Sequence, residues 1–378
     1  MSLAPCSLTT MCLRGIQKDS AILAASLMQA MAGNGKTLEV LELVGQLSTT
    51  LIGTLSSCTR IQSLHLEFNK SSATPEFLWT ILLSMAALRR LYLGAQIADL
   101  SPGTLSLDAI QTHSLDKLEH VEFSGPPAIV GVWIEHICVL HVPMLSTFSF
   151  ACSLGTPTNG AQPDFATCVQ RSTRLACKGE GIPLRELRIG AKNKDTPIPF
   201  ALTFGCLATC DQIQILHIST TKLHINSQDI RTFIQCGPLM KNLQELYLVN
   251  DHEPTHGQRL SLYILRILAQ KCTRLTILQV SLDAKCSAGD LEAMQREINC
   301  ERGSNVLHTL VIPRLSKSWD YTISSAVAFS SLLDHLFPKL RFLEFGPTQP
   351  EKHERWWKGV NEMLSVYRRI SRRGVTVV

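Results

Sequence analysis

Residues 30–37 have the types and spacing of a nucleotide-binding loop. The run Ala-Met-Ala-Gly-Asn-Gly-Lys-Thr satisfies a relaxed phosphate-loop pattern, in which backbone N–H groups hold a phosphate. A working loop follows a strand and opens a helix, whereas here a helical pattern precedes the motif and a strand pattern follows it. We therefore interpret Gly33, Asn34 and Gly35 as a helix C-terminus and turn, and we expect no nucleotide cofactor.

Two further groups have metal-ligand spacing. His252 and His256, with Glu253 between them, satisfy the pattern of a zinc protease, but Pro254 breaks the helix that would bring both histidines to one face. Cys206 and Cys210 are four residues apart, yet no third and fourth ligand follow at structural-zinc spacing. We predict no metal site, and no catalytic triad or carboxylate pair stands out, so a non-enzymatic protein is expected.

The dominant signal is an internal repeat, Leu-x-x-Leu-x-Leu, in which Ile, Val or Phe replaces some of the leucines. About eleven copies occur at intervals of 23–39 residues, beginning at Leu38, Ile61, Leu88, Leu118, Leu145, Leu184, Ile213, Leu243, Leu275, Leu307 and Leu340. Side chains alternate between the two faces of a strand, so Leu64 and Leu66 point inward while Ser63, His65 and Glu67 point outward. Stacked repeats bury the leucines in one core and pair their strands in parallel.

Helical patterns separate the strand patterns. Pro75–Leu88 follows Thr74, a favourable N-cap, and places apolar residues three and four apart. We predict further helices at residues 19–32, 227–240, 260–271, 288–299 and 324–337. The sequence therefore predicts an α/β leucine-rich-repeat solenoid, a horseshoe with a concave parallel β-sheet inside and helices outside.

A second feature of the repeats refines the type. Cys58, Cys210 and Cys272 stand three residues before the first leucine of their repeats, and Pro143 and Pro338 stand two residues before theirs. This resembles the cysteine-containing leucine-rich-repeat class, which is common in F-box proteins, and the chain looks like the repeat region of a fungal F-box/leucine-rich-repeat protein. The F-box itself is not found in residues 1–36. The resemblance implies ubiquitin-ligase components as partners if an F-box lies upstream.

Three segments follow from the repeat. We expect a helical cap over residues 1–37, the solenoid over residues 38–345, and a C-terminal capping helix with a basic end over residues 346–378. The last helix is indicated by the spacing of Trp356, Val360, Met363, Leu364, Tyr367 and Ile370. Residues 351–378 carry seven of the basic and three of the acidic residues in a chain of net charge +5. We interpret them as a solvated helix end, with nucleic-acid or membrane contact as the alternative.

The solenoid is interrupted by a Gly/Pro-rich insert at residues 153–163, and long loops follow strands at residues 192–199, 251–258 and 313–320.

Composition limits the compartment. No stretch reaches the roughly 18–20 apolar residues that cross a bilayer, and the first 15 residues do not resemble a secretory signal. The 13 cysteines are odd in number and form no Cys-x-x-Cys pair. We interpret them as free thiols of a cytoplasmic or nuclear protein.

Three functions are open. The first is a protein-binding scaffold that uses the concave face, the second is the substrate-recognition subunit of a cullin-type ubiquitin ligase, and the third is a GTPase-activating protein of the Ran-regulator type. The mixed charges of the outward positions favour a protein or peptide partner over nucleic acid. The predicted partner-binding residues are Ser63, His65, Glu67, Arg90, Tyr92, His120, Glu122, Glu186, Arg188, His217, Glu245, Tyr247 and Gln279.

Overall fold

The computed structural model describes residues 8–34, 38–71, 75–96, 114–154, 161–177, 183–193, 197–221, 223–225, 227–250, 260–283, 291, 294, 306–313, 322–345 and 351–372. The chain divides into two compact units, Met1–Thr196 and Pro197–Val378, here called the first and second unit.

The first unit contains seven parallel strands that pair in chain order. They are β1 (Thr10–Ile16), β2 (Val40–Leu47), β3 (Ser63–Ser71), β4 (Arg90–Ala95), β5 (His120–Gly125), β6 (Thr147–Leu154) and β7 (Glu186–Asn193). The second inward residue of each repeat aligns across the sheet and is 2% exposed or less, namely Leu41, Leu64, Leu91, Val121, Phe148 and Leu187. One face of the sheet is therefore the core, and the alternate positions form an open face.

The helices of the first unit cover the core face. They are α1 (Ala21–Asn34), α2 (Thr49–Thr54), α3 (Pro75–Leu83), α4 (Pro127–Val139) and α5 (Ala161–Ala176). Helix α3 is five residues shorter than predicted, because Ser84 and Met85 donate their N–H groups three residues back and turn the chain toward β4. The predicted insert is also shorter, since β6 continues to Leu154 and α5 begins at Ala161.

Strand β1 was not predicted. The expected helical cap over residues 1–37 contains this strand as well as α1, and Met11 and Leu13 pair with Leu41 and Leu43 of β2. Leu8, Met11 and Leu13 follow the repeat pattern with Met in the place of a leucine. The first repeat therefore begins 30 residues before Leu38.

The second unit repeats the arrangement with five parallel strands in one sheet: β9 (Ile215–Thr220), β11 (Glu245–Asn250), β13 (Ile277–Val280), β15 (Thr309–Ile312) and β16 (Phe342–Phe345). Two short parallel pairs stand apart from that sheet. They join β8 (Ile198–Pro199) to β10 (Leu223–His224) and β12 (Leu260–Ser261) to β14 (Leu282–Asp283). The loop predicted after β7 thus contains a strand, and the one predicted at residues 251–258 lies outside the described residues.

The helices of the second unit are α6 (Phe200–Phe204), α7 (Ser227–Cys236), α8 (Leu239–Asn242), α9 (Tyr263–Lys271), α10 (Ile323–Leu336) and α11 (Glu351–Arg372). The single helix predicted over residues 227–240 is divided into α7 and α8, because Pro238 has no N–H to continue α7. The predicted start of α9 is strand β12 instead. The helix predicted at residues 288–299 lies almost entirely outside the described residues.

Helix α11 covers α10 at the end of the second unit. The indole of Trp356 donates to the carbonyl oxygen of Thr322 (3.1 Å) and the hydroxyl of Ser325 (2.9 Å), and Trp357 stacks on Phe345 with 3.7 Å between ring centroids. Val360 and Leu364 are buried, so the apolar spacing predicted for this helix matches its packed side.

One parallel strand per repeat, with leucines facing a layer of helices, is the arrangement that the repeat predicts. The chain has a leucine-rich-repeat fold. None of the helices in the described part of the chain combines the length and apolarity that a membrane crossing requires.

The fold buries in the core the cysteines that stand three residues before the first leucine of their repeats. Cys58, Cys210 and Cys272 are buried, and none of the three is in a disulfide. Six further described cysteines are likewise not in a disulfide, namely Cys12, Cys138, Cys152, Cys168, Cys177 and Cys206. We expect a thiol reagent to react with the exposed Cys12 and Cys177 before it reacts with the buried thiols, and with all 13 cysteines only after denaturation. Burial raises the pKa of Cys58 and raises the pKa of Cys272 to about 12, so little reactive thiolate forms at these positions in the native protein. A denatured sample in which two or more thiols fail to react would contradict this expectation.

Candidate partner-binding surface

The structure distributes the thirteen predicted residues over the open faces of the two units. Nine lie in the first unit: Ser63, His65, Glu67, Arg90, Tyr92, His120, Glu122, Glu186 and Arg188. Four lie in the second unit: His217, Glu245, Tyr247 and Gln279. All thirteen side chains are partly or fully exposed. Their register within each unit follows the predicted columns, with His65 beside Tyr92 and Tyr92 beside Glu122.

The closest grouping surrounds Tyr92 in the first unit. Its ring lies against the imidazole of His65, with 4.0 Å between ring centroids and an angle of 45° between the planes. Its hydroxyl and that of Ser124 share a hydrogen bond of 2.8 Å. We call this grouping the Tyr92 cluster and define it as His65, Glu67, Tyr92, Gly94, Glu122 and Ser124.

Gly94 makes room for the cluster. A Cβ atom at this position would lie 3.1 Å from Cε1 of Tyr92, 3.2 Å from Cγ of Glu67 and 3.0 Å from Oγ of Ser124. The tyrosine and the glutamate therefore converge over a strand position that has no side chain. This convergence holds the phenol across β4 and β5 rather than upright in solvent.

The Tyr92 cluster has a negative electrostatic character. Burial raises the pKa of the Tyr92 hydroxyl, and the carboxylates of Glu67 and Glu122 raise it further, whereas the hydrogen bond with Ser124 acts in the opposite direction. Oε1 of Glu67 accepts a hydrogen bond of 2.6 Å from the amide of Gln96. Its Oε2 lies 4.0 Å from Nε2 of His65, an ion pair only when the imidazole is protonated.

Glu42 continues the column of His65 toward β1. Its Oε1 accepts from Nε of Arg14 at 2.7 Å, and its Oε2 accepts from the thiol of Cys12 at 3.2 Å. The hydrogen bond from Arg14 lowers the pKa of Glu42, and the hydrogen bond to Glu42 raises the pKa of Cys12. This carboxylate already has a cationic partner.

The remaining outward charges of the first unit are paired locally or stand alone. Nε of Arg188 donates to Oε1 of Glu186 at 2.5 Å, and the hydroxyl of Thr147 donates to the other carboxylate oxygen at 3.2 Å. Arg90 is exposed and makes no ion pair with any described residue. Both cationic and anionic side chains therefore occur on this face.

The second unit has a related but different arrangement. His217 and Tyr247 occupy neighbouring strands, with 5.2 Å between their ring centroids. Here the tyrosine hydroxyl donates to a carboxylate oxygen of Glu245 at 2.8 Å. The carboxylate next to this tyrosine is therefore already bound by the phenol. Gln279 lies beside Tyr247 on β13.

Five contributing residues were missed from the sequence: Cys12, Arg14, Glu42, Gly94 and Ser124. Glu42 occupies the outward position equivalent to His65, and the alternation of β2 could have identified it. Cys12 and Arg14 depend on β1, whose repeat pattern contains a methionine. Gly94 and Ser124 carry no signal in the sequence, because their role depends on the direction of the Tyr92 side chain.

The structure describes only part of the motifs with catalytic or metal-ligand spacing. Residues 35–37 and 251–259 lie outside the described residues. Among the described residues no group of three or more His, Cys, Asp or Glu side chains could hold a metal ion. The thiol of Cys206 is half-buried and bonds to the carbonyl oxygen of Thr203 at 3.8 Å, while Cys210 is buried.

No protein-family model matches the chain, and no curated protein matches it. One solved structure that matches is a leucine-rich-repeat protein of Leptospira interrogans, which is 13% identical. The match covers 92% of this chain and 82% of that chain with a TM-score of 0.37. The leucine-rich-repeat fold of this chain therefore rests on its own repeat and on the strand that each repeat forms.

Proposed function

We propose that the protein is a non-enzymatic scaffold that binds a protein or peptide partner on the open face of its parallel sheet. One observation carries the proposal. Tyr92 and Tyr247 occupy outward positions of the two units, each beside a histidine of the preceding strand of its sheet, and each is partly exposed. Tyrosine and arginine, with tryptophan, are enriched among the residues that anchor protein interfaces, because they bury a large area and keep a polar group for hydrogen bonding.

The charges of the open face favour a protein over nucleic acid. A surface that binds a phosphate backbone presents many cations together. Here Arg14 is paired with Glu42, Arg89 with Glu119, and Arg188 with Glu186. A partner with both polar and apolar groups suits such a surface better than a polyanion.

A ubiquitin-ligase subunit is the second candidate. Cys58, Cys210 and Cys272, which precede the first leucine of their repeats, are buried, as suits the cysteine-containing repeat class. Helix α1 contains no charged residue, and Ile22 and Leu23 on its outer side are 74% and 72% exposed. A preceding helical module such as an F-box could pack on this side. Co-purification of a cullin-ligase adaptor with the protein from its own cells would support this candidate, and its absence from the purified complex would count against it.

The compartment that we propose is the cytoplasm or the nucleus. Cys12 and Cys177 are exposed free thiols, and a reducing compartment keeps such groups reduced.

Affinity purification followed by mass spectrometry identifies the partner, and substitutions on the open face then test the proposal. We expect Tyr92→Ala and Tyr247→Ala each to weaken binding of the purified partner by about 2 kcal/mol, because each removes a central aromatic contact. Thermal unfolding should show an unchanged fold.

Tyr263→Ala is the matched control, since Tyr263 lies on helix α9 between Arg231 and Arg266 rather than on the sheet. It should leave binding unchanged. The site would lie in the loops after the strands instead if both open-face variants bind normally and changes in residues 192–199 or 251–258 abolish binding.

A further inference from the structure

We infer that the Tyr92 cluster is the docking point for an arginine side chain of the partner. The inference rests on the proposed function and adds the chemistry of the ligand group. It begins from the shape of the cluster, in which a half-exposed phenol ring lies across β4 and β5 with a carboxylate on each neighbouring strand, Glu67 on β3 and Glu122 on β5.

The charges around the ring do not cancel. Both carboxylates are close enough to Tyr92 to disfavour a negative charge on its hydroxyl. The carboxylate of Glu67 receives a hydrogen bond from the uncharged amide of Gln96, and the carboxylate of Glu122 makes no hydrogen bond or ion pair with any described residue. The exposed Arg90 precedes Tyr92 on the same strand but pairs with neither carboxylate. Two carboxylates therefore flank one aromatic ring, and His65 pairs with one of them only when its imidazole is protonated.

A guanidinium group complements these features. It is planar, it stacks on the face of a tyrosine, and it has donors in fixed directions for carboxylate oxygens on both sides. A lysine ammonium supplies the charge but not the planar stacking, and an uncharged side chain supplies neither. Gly94 matters here because it lets Tyr92 and Glu67 approach each other, which sets the ring and the carboxylate at one site.

Tyr247 provides an internal reference in the same molecule. It too has a histidine and a glutamate nearby, but its own hydroxyl donates to Oε2 of Glu245 at 2.8 Å. A carboxylate that is bound in this way has less capacity for an added cation. The cluster in the first unit should therefore respond to a guanidinium more strongly than the pair in the second unit.

The test uses the full chain with labelled tyrosine rings and observes its five tyrosines by NMR. The probe is N-acetyl-arginine N-methylamide, and the matched control is N-acetyl-citrulline N-methylamide, which has nearly the same shape without the charge. Tyr92→Phe and Tyr247→Phe assign the two signals. We expect the arginine probe to shift the Tyr92 signal in a saturable manner, with a much smaller shift at Tyr247 and almost none with citrulline.

Substitution of the carboxylates then separates the charge from the ring. Glu67→Gln combined with Glu122→Gln should weaken the response to the arginine probe by about fivefold or more. Glu344→Gln, which removes an exposed outward carboxylate on β16, should leave it unchanged. Added salt should weaken binding of the arginine probe and should not affect citrulline.

Equal shifts with arginine and citrulline, or a response that survives the double Gln substitution, would overturn the inference. If Tyr92→Ala nevertheless prevents capture of the partner, the proposed function stands and only the ligand group is wrong. If instead the proposed function is wrong, Tyr92→Ala and Tyr247→Ala should both capture the partner normally.

Discussion

Replacing Cys272 with Asp is expected to lower the free energy of unfolding by about 3–5 kcal/mol, because it places an unpaired charge in the core of the second unit. Cys272 is 0% exposed and follows the last residue of helix α9. Its thiol lies 3.4 Å from the sulfur of Met240. A carboxylate at this position would also meet the negative end of the α9 dipole. Chemical denaturation of the purified variant measures the effect.

Two substitutions at the same position separate charge from shape. Cys272→Ala keeps the site apolar and should cost about 1 kcal/mol through lost packing. Cys272→Asn has the size and polarity of Asp without its charge. Burial would raise the pKa of the introduced Asp above its unfolded value of about 3.9, so its extra cost is present at neutral pH. This cost should shrink as the pH falls through the folded pKa toward the unfolded one. Equal stability of the Asp and Ala variants at neutral pH would show that Cys272 is not a core residue.

The burial of Cys272 was predictable because it depends on the repeat alone. Its position, three residues before the first leucine, recurs at Cys58 and Cys210, and all three are buried. The same reasoning predicted the outward columns, since alternation along a strand and pairing in parallel fix which residues become neighbours. The register of His65 with Tyr92 and of His217 with Tyr247 confirms these neighbours within each unit.

The contacts of the candidate site were less predictable, because they depend on side-chain directions across strands. Tyr92 and Ser124 are 32 residues apart, and nothing in either repeat indicates that the phenol leans toward β5 rather than upright. The opening at Gly94 decides this direction. At Tyr247 the hydroxyl turns to Glu245 of its own strand instead. Two tyrosines at similar repeat positions thus have different partners, which a repeat pattern cannot distinguish.

Strand β1 belongs to a repeat that the sequence pattern missed, although the pattern accepts Ile, Val or Phe in place of leucine. Met11 replaces a leucine and so weakens the repeat pattern in the sequence near residue 8. In the structure Leu8, the first residue of this repeat, is 44% exposed. The structure nevertheless pairs β1 with β2 over most of its length and shifts register between Arg14 and Ile16. Gly45 lies opposite this shift. Its backbone φ is 142°, a value that residues other than glycine rarely adopt.

Gly45→Ala is therefore expected to lower the free energy of unfolding by about 2–4 kcal/mol, through a backbone clash and an unfavourable φ. A Cβ atom at this position would lie 2.6 Å from the backbone nitrogen of Ile16 and closer still to its carbonyl oxygen. Neither atom can move away by rotating a side chain, so β1 itself must separate from β2. Denaturation measures the loss, and faster hydrogen exchange of the amides of Thr10–Ile16 should show that it begins at β1.

Gly53→Ala is the matched control for this substitution. Gly53 lies in helix α2, and a Cβ atom there would meet only Cζ of Phe77, at 3.7 Å. Alanine favours a helix over glycine, so this variant should keep or raise stability by up to about 1 kcal/mol. Unchanged stability and slow exchange of β1 in Gly45→Ala would mean that β1 is not an integral strand of the sheet. Separation of β1 would also remove Arg14 from Glu42, which would leave another unpaired carboxylate in the column of Tyr92.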